Sequence, residues 1–549
     1  IVVPMIADCT DYEYTLSGHF VPGIMGALFS FIDKSFSALG TGFVGIALSM
    51  TGYAKVFPQV GDALTPQLKY MTVFFYCVIP ILGWFVTIFI MRFYRLDKKA
   101  MSILYTKNGA ERVEMRRAMN IKKGKSAAKG GVQNKKDGYN FAIASAAEII
   151  DLLLYAPKAD EPEYRIELTE AYKTGDVFSV HISGIYLDRY LYCYEADGRK
   201  IIDPYAKTIT GCEVFGKDEN KQHLSRVCLS KYDWEDDTAP EIPYHDSVFY
   251  KCSVRGLTAS KTSKVRHKGT FSGVVEKLPY LKELGITAVL FMPLYEFDEI
   301  GKFPQLYDNG YGKYASGPIA GRINYWGYTK GFYFAPKASF AWTGRKKADY
   351  TAEMKDMVKA FHKEGMEVLM EMHFQDEPVD FILDCLHYWV TEYHIDGIHL
   401  FAGEAALNAA ARDALLAKTK LITVFWNGEK KHYKNMANYN AGFMNVARKF
   451  LKGDENQLGD FVNVSRYNPV QSANINYITS HDGFTLFDLV SYDRKHNEAN
   501  GEGNADGENF NNSWNCGTEG PSKKKKIQHL RLRQMKNATD AGAVIARHT

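Results

Sequence analysis

From residue 246 onward, short apolar runs recur with room for one helix between each pair. This alternation constrains the fold more than any other feature of the chain. The runs read "SVFYKCSV", "TAVLFMP", "EVLMEMHF", "DGIHLF", "LITVFW", "DFVNV" and "NINYITS". Amphipathic stretches such as 274–285 and 352–365 lie between them. A helix between two strands returns the chain to the same end of the sheet, so the strands run parallel. The expected architecture is an α/β (β/α)8 barrel of the TIM type, with about seven strands legible and the last expected beyond residue 549.

Upstream, "YNFAIAS", "IIDLLLYAP", "YRIELTE", "VFSVHISG" and "RYLYCYEA" are short, β-rich and separated by turn residues. They predict an antiparallel β-sandwich ending near Tyr232. A polar Lys/Gly/Ala-rich stretch, 122–138, precedes them as a flexible linker.

The front of the chain is different again. Residues 70–91, "YMTVFFYCVIPILGWFVTIFIM", carry no charge and are long enough as a helix to span a hydrocarbon core of ~30 Å. An earlier apolar stretch, 20–54, broken by Asp33 and Lys34, is a second candidate span. Its "GTGFVG" fits a dinucleotide-loop pattern, but no strand precedes it, and small residues for helix packing explain it better. Arg92, Arg95, Lys98, Lys99, Arg112, Arg116 and Arg117 follow the second span, which predicts a cytoplasmic side there. The expected organisation is therefore multidomain: two transmembrane α-helices in 1–100, a basic linker in 101–137, the sandwich in 138–240 and the incomplete barrel in 241–549. The expected location is the membrane, with the later domains on its cytoplasmic side.

A net charge of +4 over 549 residues speaks against a nucleic-acid partner. The eight cysteines are scattered without a CxxC pair, so neither a zinc site nor a disulfide framework is expected. His373 and His399 lie on separate strands without a clear carboxylate partner, and no metal site or cofactor is expected from them.

Several segments carry a resemblance. "KGTFSGVVEKLPYLKELGITAVLFMPLYEFDE", "INYWGYTKGFYFAPKASF" and "INYITSHDGFTLFDLVSYDRKHNEANGEGNADGENFNNSWNCGTEGP" resemble debranching enzymes of the α-amylase superfamily, glycoside hydrolase family thirteen, of the isoamylase and pullulanase type. The β-rich region, continuing into "KIIDPYAKTITG", is similar to a family forty-eight carbohydrate-binding module. "MIADCTDYEYTLSGHFVPGIMGALFSFIDKSFS" resembles the C-terminal end of glycoside–pentoside–hexuronide:cation symporters, whose substrate site needs far more than two helices.

The resemblance to debranching enzymes implies retaining cleavage of α-1,6-glucosidic branches, by a carboxylate nucleophile and a carboxylic acid about 5–5.5 Å apart. It also implies where they stand. The nucleophile ends the fourth strand in Gly-Phe-Arg-Phe-Asp, where this chain reads Gly397-Ile398-His399-Leu400-Phe401. The acid lies in Glu-x-Trp after the fifth strand, where Val424-Phe425-Trp426 stands. The third-strand pattern is represented by Glu371, Gln375 and Asp376, and the seventh-strand pair is intact as His481-Asp482. Tyr328 matches the sugar-stacking tyrosine.

The resemblance thus implies an α-glucan debranching scaffold with its nucleophile and acid replaced by Phe401 and Val424. An α-glucan or maltodextrin partner would meet Tyr328, His399, Trp426, His481 and Asp482. Two other readings stand beside this one: an active α-1,6-glucosidase using substitute carboxylates such as Glu371 or Glu404, and a symporter fragment with a fused cytoplasmic domain.

Overall fold

The computed structural model describes residues 66–74, residue 81 and most of 119–546; short stretches such as 125–130, 218–222, 301–304, 317–322, 343–349 and 427–432, and single positions such as 482, are not described. The chain divides into two compact units, residues 1–120 with 183–185, and residues 121–182 with 186–549.

In the first unit the described helix is Pro66–Val73, of 8 residues. At ~1.5 Å per residue it is about 12 Å long, well short of a hydrocarbon core. Of the expected spans, 20–54 lies outside the described residues, and so does nearly all of 70–91 beyond this helix. Among the described residues no helix is long and apolar enough to cross a membrane. The expected membrane placement, and the membrane as a partner through N-terminal helices, are corrected on this ground.

The second unit opens with two antiparallel sheets of five and six strands. Gly138–Ala144 pairs with Gly131–Lys135 and with Val177–Ser183 in the first. Ile150–Tyr155 pairs with Tyr164–Leu168 and Leu191–Ala196 in the second. Ring edges and one hydrogen bond join the sheets: Phe141 lies 5.2 Å from Tyr192, and the Tyr194 hydroxyl donates to the Ala142 carbonyl at 3.2 Å. The chain that follows braces the next domain. Tyr205 stacks on Phe334 at 4.7 Å, and the Ile209 amide donates to the Tyr350 hydroxyl at 2.7 Å.

Seven parallel strands then run in sequential order. They are β1 (Phe249–Cys252), β2 (Ala288–Phe291), β3 (Glu367–His373), β4 (Gly397–Phe401), β5 (Lys420–Thr423), β6 (Met436–Asn440) and β7 (Ala473–Asn476). Alternate side chains take opposite faces of a strand. One set, with Leu290, Leu369, Ile422, Ala437 and Ile475, joins Phe249 and Ala473 in one cluster that spans the sheet from edge to edge. The sheet is therefore curled around it. The other set, including Val289, Val368, Ile398, Leu421 and Met436, packs under the helices.

Among these helices are α1 (Tyr350–Lys363), α2 (Val379–Tyr393) and α3 (Glu404–Arg412). α1 buries Tyr350, Met354, Met357, Val358 and Phe361, a stripe at helical spacing, and stops before Gly365, whose φ of 72° only glycine adopts freely. The helix expected over 274–285 is two pieces, Phe271–Val275 and Leu278–Glu283, because Pro279 favours a fresh helix start.

One strand expectation is overturned. "DFVNV" lies inside a helix, α5 (Gln457–Arg466), which follows α4 (Ala441–Lys452). Phe461 stacks on Phe450 at 4.5 Å, so its apolar residues serve a helix–helix contact. The sixth strand is instead "MANYN", too polar to register as a strand by pattern.

Candidate active site

The sheet register places Glu371 opposite His399 and His373 opposite Phe401. All four point to the concave side, at the C-terminal end where barrel enzymes carry their sites. Period two on β1 puts Lys251 on the same side as Phe249.

Glu371 is fully buried and is held by three groups. Its Oε1 accepts from Lys251 Nζ at 2.7 Å and from His399 Nδ1 at 2.8 Å. Its Oε2 accepts from the Tyr328 hydroxyl. Burial pushes the Glu371 carboxyl up. The His399 hydrogen bond and the Lys251 charge outweigh it and hold the carboxyl down to about 2. An ionised carboxylate only accepts, so Nδ1 of His399 carries a proton. The single Tyr328 proton goes to Glu371, so in the 2.9 Å contact with His481 the imidazole Nε2 donates.

Rings enclose this polar centre. His399 stacks on Tyr439 at 5.2 Å and 13°, and its ring lies 4.3 Å from Phe401. Phe401, half-buried, lies 5.7 Å from His373 and 6.1 Å from Tyr328. Trp326, 42% exposed, sets its ring 4.9 Å from His481.

The structure thus brings together Tyr328, His399, His481 and Glu371 from the residues expected at the site, with Phe401 beside them. Val424 follows β5 and is 58% exposed. Glu404 is exposed in the first turn of α3. Trp426 is buried in the outer core. Its amide donates to Asn438 at 2.9 Å and its Nε1 to Asn408 at 3.3 Å. It packs among the helices and not with the cluster around Tyr328. Asp482 lies outside the described residues.

Sequence reasoning overlooked Lys251 and Tyr439. A lone lysine at an inward position of the apolar run "VFYKC" was the available signal. The reading of His399 as lacking a carboxylate partner is corrected: the partner is Glu371, one strand away.

The chemistry open to this arrangement follows. Both Glu371 oxygens accept hydrogen bonds and the group is ionised at neutral pH, so it holds no proton to donate. Around it stand ring faces and imidazoles, surfaces suited to a sugar ring.

Comparisons with known proteins agree with the fold. The glycogen operon protein GlgX homolog of Mycobacterium tuberculosis (strain H37Rv) is 30% identical, over 73% of this chain and 68% of that protein. The chain belongs to the α-amylase-family debranching enzymes. Isoamylase 3, chloroplastic, of Oryza sativa subsp. japonica is also 30% identical, over 74% of this chain; the chain spans 64% of the rice protein's length. Pullulanase from Bacillus acidopullulyticus superposes with a TM-score of 0.55 at 18% identity, over 78% of this chain and 64% of that one. Pullulanase from Paenibacillus barengoltzii, solved in complex with maltohexaose and α-cyclodextrin, superposes at 0.54 and 16% identity, covering 77% and 81%. Residues 1–98 match a separate family described as MFS/sugar transport protein.

Proposed function

We propose that this member of the debranching family binds α-glucan or maltodextrin and is impaired in hydrolysis. The observation that carries the reading is the state of the carboxylates at the concave mouth. The β4 end presents Phe401, and among the described residues the inward carboxylate on the neighbouring strand, Glu371, has both oxygens tied to Lys251, His399 and Tyr328. A phenyl ring cannot attack an anomeric carbon, and loss of a nucleophile costs on the order of 10⁴–10⁶ in rate. Val424 cannot protonate the leaving oxygen. Binding is supported by the rings of Tyr328 and Trp326, and by the maltohexaose complex of the Paenibacillus barengoltzii pullulanase, which shares the fold. In this reading residues 138–240 act as a carbohydrate-binding-module-like brace and 241–549 as the glucan-binding barrel.

The test measures reducing-sugar release from pullulan and glycogen, together with mobility in a glycogen-containing native gel. The unmodified chain is expected to be retarded by glycogen and to release no sugar above background. Phe401→Asp alone is expected to stay inactive, since Val424 remains. Release that disappears in a Glu371→Gln/Asp482→Asn variant would show a substitute carboxylate pair and overturn the impairment.

A further inference from the structure

We infer that His373 supplies the polar contact to a sugar hydroxyl at the barrel mouth. This rests on the glucan-binding reading above and names a residue to which that reading assigns no role. The groups around Glu371 are already bound to one another. Glu371 accepts from Lys251, His399 and Tyr328, and Tyr328 accepts from His481. His373 stands on the last residue of β3, directly opposite Phe401, with its ring 5.7 Å from Phe401 and 6.3 Å from Tyr328. It is half-buried and edges the same mouth as those two rings.

The two nitrogens of His373 face different surroundings. Nδ1 is buried and has no hydrogen-bond partner among the described residues. Nε2 likewise bonds to no described group, and on a half-buried residue with Nδ1 buried it is the nitrogen left for a ligand. Whichever nitrogen carries the proton, Nε2 is the one left to donate to a sugar hydroxyl or accept from it. Burial also pulls the imidazole down from its ordinary range, so it is neutral at physiological pH and keeps both options. A pyranose lying against Phe401 and Tyr328 brings apolar C–H faces to those rings and a rim of hydroxyls to its edge. His373, between the rings and tilted 34° to Phe401, meets that rim. The ligand class is a neutral α-linked glucose segment, with no phosphate or carboxylate required.

The experiment compares the full chain with His373→Leu and His373→Gln in glycogen-gel retardation, with thermal unfolding of each as a folding control. Leucine keeps the bulk and removes the polar contact. Glutamine can donate and accept from a similar reach. The expected result is a dissociation constant about five- to tenfold weaker for His373→Leu, the size of one neutral hydrogen bond, and recovery of most of it in His373→Gln. Should the leucine variant fail to fold, ¹⁵N-imidazole spectra of the unmodified chain titrated with maltohexaose replace it. One Nε2 resonance, absent in His373→Gln, is then expected to shift. Unchanged retardation in His373→Leu, equal loss in both variants, or no shift of that resonance would overturn the assignment. Failure of the unmodified chain to be retarded at all would instead remove the binding reading on which it rests.

Discussion

At the scale of single residues, the balance around Glu371 governs both the chemistry and the stability of the mouth. A buried carboxylate beside a barely exposed lysine is tolerated because each answers the other, and removing one partner leaves an uncompensated buried charge. Glu371→Gln is therefore expected to lower stability by about 3–5 kcal/mol in denaturant unfolding. Adding Lys251→Met should return part of that loss, and a double-mutant cycle measures how much. The pH dependence has a definite sign. The Glu371 carboxyl sits at about 2 in the folded chain, below its unfolded value near 4.3. Its contribution is present above about pH 4 and is lost as pH falls toward 2. Acid unfolding of the unmodified chain should show that slope, and the Glu371→Gln variant should lack it. The participants were partly legible beforehand. Period two put Glu371, His399 and Phe401 on one face, but the pairing of Glu371 with His399 depends on the β3–β4 register, which no local pattern specifies.

At the scale of elements, Gly397 opens β4 between close neighbours on the flanking strands. A Cβ there would lie 2.7 Å from both Leu369 Cδ2 and Lys420 Cβ. Neither neighbour can retreat freely, since Leu369 is in the inner core and Lys420 Nζ pairs with Glu367 and the Ile242 carbonyl. Gly397→Ala is expected to cost about 1–3 kcal/mol by overpacking, read as a lower thermal midpoint with unchanged secondary structure. The strands were easiest to foresee where short apolar-rich runs stand between helical stretches, as in "EVLMEMH" and "GIHLF". Residues 460–464 misled because Phe461, Val462 and Val464 also suit a helix, and contact with Phe443 and Phe450 settled the matter. "MANYN" was invisible because its inward residues, Ala437 and Tyr439, meet a crowded core and a polar cluster in turn.

At the scale of the second unit, a buried clasp ties the chain after the β-sheets to the base of the curled sheet. His362 at the end of α1 contacts both oxygens of Asp237 at 3.0 Å through Nδ1, and Asp396 at 3.0 Å through Nε2. His394, which ends α2 in a left-handed turn, reaches Asp237 at 2.7 Å and stacks on Trp234 at 3.7 Å. Burial pulls His362 down, but hydrogen bonds and charge from Asp396 and Asp237 outweigh it, and the imidazole is held above its ordinary range. Its contribution is complete below the unfolded value near 6.5 and is lost as pH rises through the higher folded value. Unfolding followed from pH 6 to 9 should show falling stability, and His362→Gln should flatten that fall.

The sequence by itself determined the parallel β/α order and the inward and outward faces of most strands. These are local or pattern properties, written in spacing and residue type. Tertiary structure alone decided that Lys251, Glu371, Tyr328, His399 and His481 neutralise one another, although Tyr328 and His481 stand 153 residues apart in the chain. It also decided that His394 and His362 share Asp237, and that Trp426 packs outside the mouth. The reason is geometric: a buried charge is set by whichever groups register and loop closure bring within about 3 Å, and spacing along the chain carries no such distance.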